Sequence, residues 1–341
     1  MHGPAAPRAD YDMMPPRPLL LALVCALIAS TLLAQSVQRC ASCGQILLDD
    51  YVEAEGRYFH SDHFRCEYCG KQIESLYVPV EGKFYHGECY QKRFTVMCVV
   101  CNKAIMEAYQ QDYWGNPAHA GHSADTPECD FCERFIVGGF VANSVELPDG
   151  RRLCGLCAPT SVTTLDTARE LMSATAAALR RHGIRVSTDG IPLLLLPRDR
   201  MQMLSSDAEH RVAGFTDFVV EPQANGKWKA ETFNIDLLYG MPEIETRYAL
   251  AHELMHVWLA RRSIDRGDVA LIEGSCGYAS FLVMLDMATR ESEFVVHQIQ
   301  MEPDSVYGGG FRRVKGYVDA NGVEAWLKAL ASGAAIAAPG Q

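Results

Sequence analysis

The chain is 341 residues long with 48% hydrophobic, 21% charged and 9% aromatic residues. This balance can bury a core, which excludes disordered, collagen-like and multi-spanning membrane chains, and the length predicts two or three domains of ~100–200 residues each. Its 31 Lys+Arg against 42 Asp+Glu give a formal charge of −11. Residues 40–160 alone hold ten Lys+Arg against seventeen Asp+Glu, a balance of −7. Nucleic acid is therefore not expected as a partner, because such binding rests on neutralising phosphates.

Residues 19–34 (LLLALVCALIASTLLA) form an uncharged apolar run of 16 residues. That is slightly long for a signal-peptide core and short of the ~20 residues that span a bilayer. Residues 1–34 are read as a signal peptide or membrane anchor, with a buried core helix as the rival. The expected location is secreted, periplasmic or membrane-tethered, and cytoplasmic is the runner-up.

Eleven of the thirteen cysteines and five histidines fall between Cys40 and Cys157. They form eight pairs, each with two residues between: Cys40/Cys43, His60/His63, Cys66/Cys69, His86/Cys89, Cys98/Cys101, His119/His122, Cys129/Cys132 and Cys154/Cys157. A tight turn with this gap supplies two ligands of a zinc tetrahedron, so the sixteen donors predict about four closed structural zinc sites. A disulfide framework is the alternative, and it leaves the histidines in three of the eight pairs, and an odd cysteine, unexplained.

The spacing resembles the LIM domain. Residue by residue, the resemblance implies a first site of Cys40, Cys43, His60 and His63 and a second of Cys66, Cys69, His86 and Cys89, within a LIM domain at 38–92. Residues 96–160 resemble a divergent second LIM-like module with sites Cys98/Cys101/His119/His122 and Cys129/Cys132/Cys154/Cys157. LIM modules bind proteins, so a protein partner is expected here.

Beyond Cys157, residues 161–182 carry apolar positions at helical spacing and end at Gly183, predicting a helix that opens a domain at 161–341. Residues 191–196 and 228–239 read as strands, the second preceded by the Asn225-Gly226 turn signal. Residues 248–262 contain His252-Glu253-Leu254-Met255-His256. On a helix the two histidines share one face, so both can reach one zinc, with Glu253 beside the open position as general base. Leu259 and Arg262 stand where a longer histidine motif would need Gly and His. Glu273, seventeen residues after His256 at the start of a second apolar helix, is the expected third ligand, chosen over Glu291, Glu293 and His297. Cys276 is either a thiol facing this site or a buried helix residue. Tyr307 and Arg312 are placed in a glycine-rich loop, as stabilisers of an oxyanion or as structural residues. Substrate is expected to pair with an edge strand drawn from 228–239.

The LIM block and its following Cys/His repeat, the strand at 191–196, residues 234–242 (NIDLLYGMP), 251–259 (AHELMHVWL), Glu273-Gly-x-Cys276 and Tyr307-Gly-x-Gly-Phe-Arg312 together resemble the plant organ-size regulator ("big-organ") family of LIM-containing, ubiquitin-activated zinc peptidases. The resemblance implies zinc-ribbon or LIM-type N-terminal modules followed by an α+β zincin-like metallopeptidase domain. It further implies one catalytic zinc on His252, His256 and Glu273, Glu253 as base, and a polypeptide substrate. Ubiquitin is not expected as a partner, because no acidic ubiquitin-interacting helix stands near the N-terminus. A LIM-type adaptor with an inactive peptidase-like domain is the alternative.

Overall fold

The computed structural model describes residues 38–336 apart from 49, 123–125, 205–212, 224–227 and 265–266. The apolar run at 19–34, the Asn225-Gly226 turn and His210 lie outside the described residues. The chain divides into two compact units, Met1–Phe94 and Thr95–Gln341.

The first unit is built from two antiparallel hairpins and a short helix. Tyr51–Ala54 (β1) pairs with Arg57–His60 (β2), Tyr77–Val80 (β3) pairs with Lys83–His86 (β4), and Gly87–Phe94 (α1) follows. Both turns are two residues long, Glu55-Gly56 and Glu81-Gly82, with all four φ angles between 49° and 76°. This is the left-handed conformation that matches strand twist in a tight hairpin. Phe59, Phe64 and Phe84 meet at ring-centroid distances of 4.9–5.6 Å and form this unit's own core.

The second unit opens on the same plan: Tyr109–Gln111 (β5) with Pro117–His119 (β6), then Val145–Glu146 (β7) with Arg152–Leu153 (β8). Next come Leu165–Arg181 (α2), Leu193–Leu196 (β9), Arg198–Leu204 (α3), Gly214–Pro222 (β10), Trp228–Leu238 (β11) and five helices: Glu243–Ala260 (α4), Val269–Met287 (α5), Arg290–Met301 (α6), Tyr307–Asn321 (α7) and Val323–Ser332 (α8). The Thr164 hydroxyl caps α2 by accepting the Thr167 N–H, and Gly183 ends it at φ 85°.

The sheet order is β10-β11-β9, antiparallel then parallel. Ala230, Phe233, Ile235 and Leu237 are buried along β11. The expectation of an edge strand at 228–239 is therefore corrected. Residues 235–237 of that segment are paired on both sides, by β10 and β9, while 228–234 pair with β10 alone; β10, which carries no strong apolar alternation, is the edge strand beside it.

The second apolar helix begins with the Asp268 side chain accepting the Leu271 N–H and stops at Ala288, a left-handed residue at φ 48°. A capping box at Thr289 and Ser292 then starts α6. The Tyr307–Arg312 stretch is helical, not a loop. Its glycines serve contact: a Cβ on Gly310 would stand 1.9 Å from the Ala270 carbonyl oxygen, and one on Gly274 2.1 Å from the Gly310 carbonyl carbon. Only bare backbones let α5 and α7 cross this closely, and the crossing fixes the turn that carries Glu273.

The core of the second unit runs without a break from the Cys/His repeat into these helices. Trp114, Cys129, Phe131, Leu147, Leu153 and Cys154 belong to the same cluster as Leu250, Leu254 and Phe294.

Candidate metal centres and active site

Each ligand pair sits where a turn is already fixed by the backbone. His60 and His86 end β2 and β4, His63 follows on a short turn and Cys89 lies in the first turn of α1. Neighbouring donors stand 3.2–3.8 Å apart, as in Cys40 Sγ–His63 Nδ1 at 3.5 Å, Cys69 Sγ–His86 Nδ1 at 3.4 Å, Cys98 Sγ–His122 Nδ1 at 3.2 Å and Cys89 Sγ–His86 Nδ1 at 3.8 Å. The edge of a tetrahedron of about 2.0–2.3 Å radius is about 3.3–3.8 Å, so these sets fit zinc. Cys132 and Cys154 bring their sulfurs to 3.6 Å, well beyond the ~2.05 Å of a disulfide. The Nε2 of His86 faces the Gln72 carbonyl at 3.0 Å and that of His119 the Ala104 carbonyl at 3.3 Å, a pairing that leaves Nδ1 as the donor to metal. Burial opposes ionisation of Cys40, but backbone hydrogen bonds from His60 and Cys43 and the His63 ring outweigh it and bring the thiol down to about 5. Cys98 follows suit, burial being outweighed by backbone hydrogen bonds from Cys101 and His119, and also falls to about 5. The four predicted clusters are thus assembled: Cys40/Cys43/His60/His63, Cys66/Cys69/His86/Cys89, Cys98/Cys101/His119/His122 and the fully buried Cys129/Cys132/Cys154/Cys157.

A fifth group lies at the crossing of α4 and α5. His252 Nε2 stands 3.1 Å and His256 Nε2 3.6 Å from Glu273 Oε2. Burial pushes the Glu273 carboxyl up, but the two imidazoles outweigh it and hold the group well below the carboxylate range. Cys276, fully buried one turn further along α5, brings its sulfur within 4.8 Å of a ring nitrogen of both histidines. The thiol is thus both buried and turned toward the site. The rival acids are elsewhere: Glu291 pairs with Arg134 at 3.8 Å, Glu293 is exposed, and the His297 ring lies against Tyr113 at 5.1 Å.

His252, Glu253, His256 and Glu273 line a cavity of about 660 Å³ within the second unit. Two residues with no sequence signal hold Glu253 there. The Thr216 hydroxyl donates to Glu253 Oε2 at 2.7 Å, and a Cβ on Gly214 would come within 2.6 Å of Oε1. Both come from β10, the edge strand, which lines the cavity with Gly214, Phe215 and Thr216. Tyr307 also lines it; Arg312 does not, and donates instead to the Glu302 carbonyl at 2.7 Å.

These clusters and their order define a protein with N-terminal LIM-type zinc-binding modules followed by a second kind of domain. Residues 40–94 match the LIM domain family and residues 188–291 the family described as Protein DA1. The chain is 26% identical to Protein DA1-related 2 of Arabidopsis thaliana over 80% of its own length and 65% of that protein. It is 25% identical to Protein DA1 of the same plant, over 66% and 53%, and 24% identical to the LIM domain-containing protein HDR3 of Oryza sativa subsp. japonica, over 69% and 60%. The protein carries a LIM domain and a DA1-like domain, and its homologues are Protein DA1 and the DA1-related proteins, the plant organ-size regulator family. The chain spans about half to two thirds of the length of these relatives.

Proposed function

We propose that the second unit is a zinc metallopeptidase that hydrolyses polypeptide substrates, and that the LIM domain of the first unit docks a protein partner. The observation that carries the peptidase reading is the meeting of His252, His256 and Glu273 at one point beside Glu253, on the lining of a cavity bounded by an edge strand. A zinc ion held by His252, His256 and Glu273 would supply Lewis-acid activation of water and of the scissile carbonyl. Glu253, oriented by the Thr216 hydroxyl, takes the proton from the attacking water and passes it to the leaving amine. An extended substrate pairs with β10 by backbone hydrogen bonds and lies across the metal-binding helix. Tyr307, at the cavity, is the hydroxyl assigned to the developing oxyanion, and Arg312 fixes the backbone at Glu302 just before it. The apolar run at 19–34 is assigned to export or membrane tethering of this peptidase.

Glu253→Gln keeps the ligand set and removes the base. Purified protein should retain its full metal content and lose peptide hydrolysis by several orders of magnitude. Unchanged turnover in that variant, or a wild-type chain that digests no denatured protein with or without chelator, would refute the reading.

A further inference from the structure

The four turns that begin the four metal clusters share one backbone hydrogen bond and one left-handed position. In each, the residue after the second cysteine donates its N–H to the carbonyl of the first: Gly44 to Cys40 at 2.8 Å, Gly70 to Cys66 at 2.8 Å, Asn102 to Cys98 at 2.9 Å and Glu133 to Cys129 at 3.0 Å. In each, that residue is left-handed, at φ 74°, 69°, 54° and 60°. Glycine is free to adopt this conformation and asparagine tolerates it, whereas a glutamate is disfavoured there. The fourth turn alone departs from the chemistry its geometry favours. Glu55 and Glu81 are left-handed too, in hairpin turns that account for them, so the backbone alone assigns Glu133 no role and its location decides.

With Phe131, two residues earlier in the same turn, Glu133 lines the cavity that holds His252 and Glu253. Its Oε1 accepts a hydrogen bond from Gln298 Nε2 of α6 at 2.6 Å, and Gln298 lines the same cavity. Among the described residues, the charged side chains of the lining, apart from the two histidines, are Glu133, Glu245, Glu253, Glu273 and Glu302, all carboxylates. With Glu273 assigned to the zinc ion and Glu253 to the base, Glu133, Glu245 and Glu302 are the carboxylates left to face a bound chain; no lysine or arginine accompanies them among the described lining residues, and Glu133 comes from the metal cluster rather than from the catalytic helices.

We propose that Glu133 selects a basic side chain of the polypeptide bound in the cavity, with Phe131 packing on that side chain's apolar stem. The proposal rests on the peptidase reading for the direction of the substrate, and it makes the Cys129/Cys132/Cys154/Cys157 cluster a wall of the substrate site. Glu133 is a specificity residue here, without a part in bond cleavage.

The test uses the full chain, zinc-loaded, with Glu253→Gln to prevent turnover, titrated with labelled peptides that differ only in a central lysine, glutamine or glutamate. Lysine should bind tightest and glutamate weakest. A hydrogen bond to a charged group is worth about tenfold or more in affinity. Glu133→Gln should accordingly remove about tenfold of the lysine-over-glutamine preference and leave glutamine binding in place. Glu133→Gly, which restores the residue of the first two turns, should abolish the preference with the thermal midpoint held or raised. The proposal is overturned if Glu133→Gln keeps the lysine preference, or if it weakens all three peptides equally, as a purely structural tie to Gln298 would. Lysine-selective binding by a wild-type chain that cleaves none of the peptides would refute the peptidase reading and leave the Glu133 assignment standing. Cleavage without lysine preference would do the reverse.

Discussion

The first Cys/His repeat, Cys40 to Cys89, and the second, Cys98 to Cys157, present metal-donor pairs in the same succession on paired hairpins, with Cys154 standing where the first has His86, yet their side chains face different surroundings. In the first, both hairpin turns are two residues long, and Phe59, Phe64 and Phe84 pack on one another in a small core. In the second, each turn has grown to five residues, 112–116 and 147–151. The added residues reach into the neighbouring fold. Tyr113 and Trp114 from the first turn pack on Phe294 of α6 at 5.0 and 5.1 Å. Arg290 donates to the Trp114 carbonyl at 2.9 Å, and the Arg134 guanidinium lies 3.3 Å from the Trp114 ring centre. From the second turn, Arg151 donates to the Tyr239 carbonyl at 2.6 Å, and Leu147 fills the space that a side chain at Gly240 would need. Tyr239 and Gly240 form the corner that leads from β11 into α4, the helix that carries His252 and His256. Much the same ligand plan thus yields a module with its own small core in one place and, in the other, a buttress for the candidate active site, and the longer turns supply the side chains that make the buttress.

The sharpest way to break this comparison is to remove one equivalent cysteine from each repeat. Zinc in small structural sites contributes about 10–16 kcal/mol of apparent binding energy, so either loss is severe where it acts. Cys66→Ser should lose one metal and the order of the first unit while leaving the thermal transition of the second unchanged. Cys154→Ser removes a fully buried ligand inside the continuous core, and should unfold or strongly destabilise the whole second unit. Calorimetry with elemental analysis reads both. Equal effects on the two transitions would mean that the second repeat is as separable as the first.

Asp149→Asn probes the second turn at a smaller scale. Arg151 has no exposed side-chain surface and is held by Asp149 at 2.7 Å. Taking away one partner of a buried pair costs about 3–5 kcal/mol, because the other charge is left uncompensated. The Arg151 hydrogen bonds, the largest influence, hold the Asp149 carboxyl below its ordinary value against the opposing effect of burial. Its contribution is therefore present above the unfolded-state value of about 3.9 and is lost as the pH falls through the lower folded-state value. Wild type should lose this increment on acidification, and Asp149→Asn, already lacking it, should show a shallower decline in thermal midpoint over the same range. Parallel declines would remove the pair from the account.

What the sequence made legible follows from how local each signal is. The sixteen zinc donors and the pair His252/His256 are spaced within single turns or one helical turn, so the pattern of residue types is enough. Glu273 needed only the assumption of a short connection between two helices. The buttress was not legible, because Arg290 lies 176 residues from Trp114 and Tyr239 88 from Arg151, and nothing in the local pattern of either residue announces its partner. Thr216 escaped for a related reason: β10 is mostly half-exposed and lacks the period-two alternation that marked β11. The run Gly308-Gly309-Gly310 reads as a loop by composition, and only the close passage of α5 shows why a helix there must be bare.

The mildest prediction concerns Trp114, the residue through which the longer first turn holds α6. Its indole Nε1 donates to the Cys132 carbonyl at 2.6 Å, while its ring packs on Phe294 and under Arg134. Trp114→Phe keeps an aromatic ring in the stack and removes only the donor, leaving a buried carbonyl in the metal-binding turn without it. An unsatisfied buried acceptor costs about 1–3 kcal/mol, so the midpoint of the second unit should fall by a few degrees, with metal content unchanged and the first unit's transition untouched. Because Cys132 lies between Phe131 and Glu133, relaxation of its carbonyl loosens the wall of the cavity. Peptide affinity in the Glu253→Gln background should drop more than stability alone would require. A midpoint shift with no change in affinity would confine Trp114 to the core, and would leave the zinc turn positioned by its four sulfurs alone.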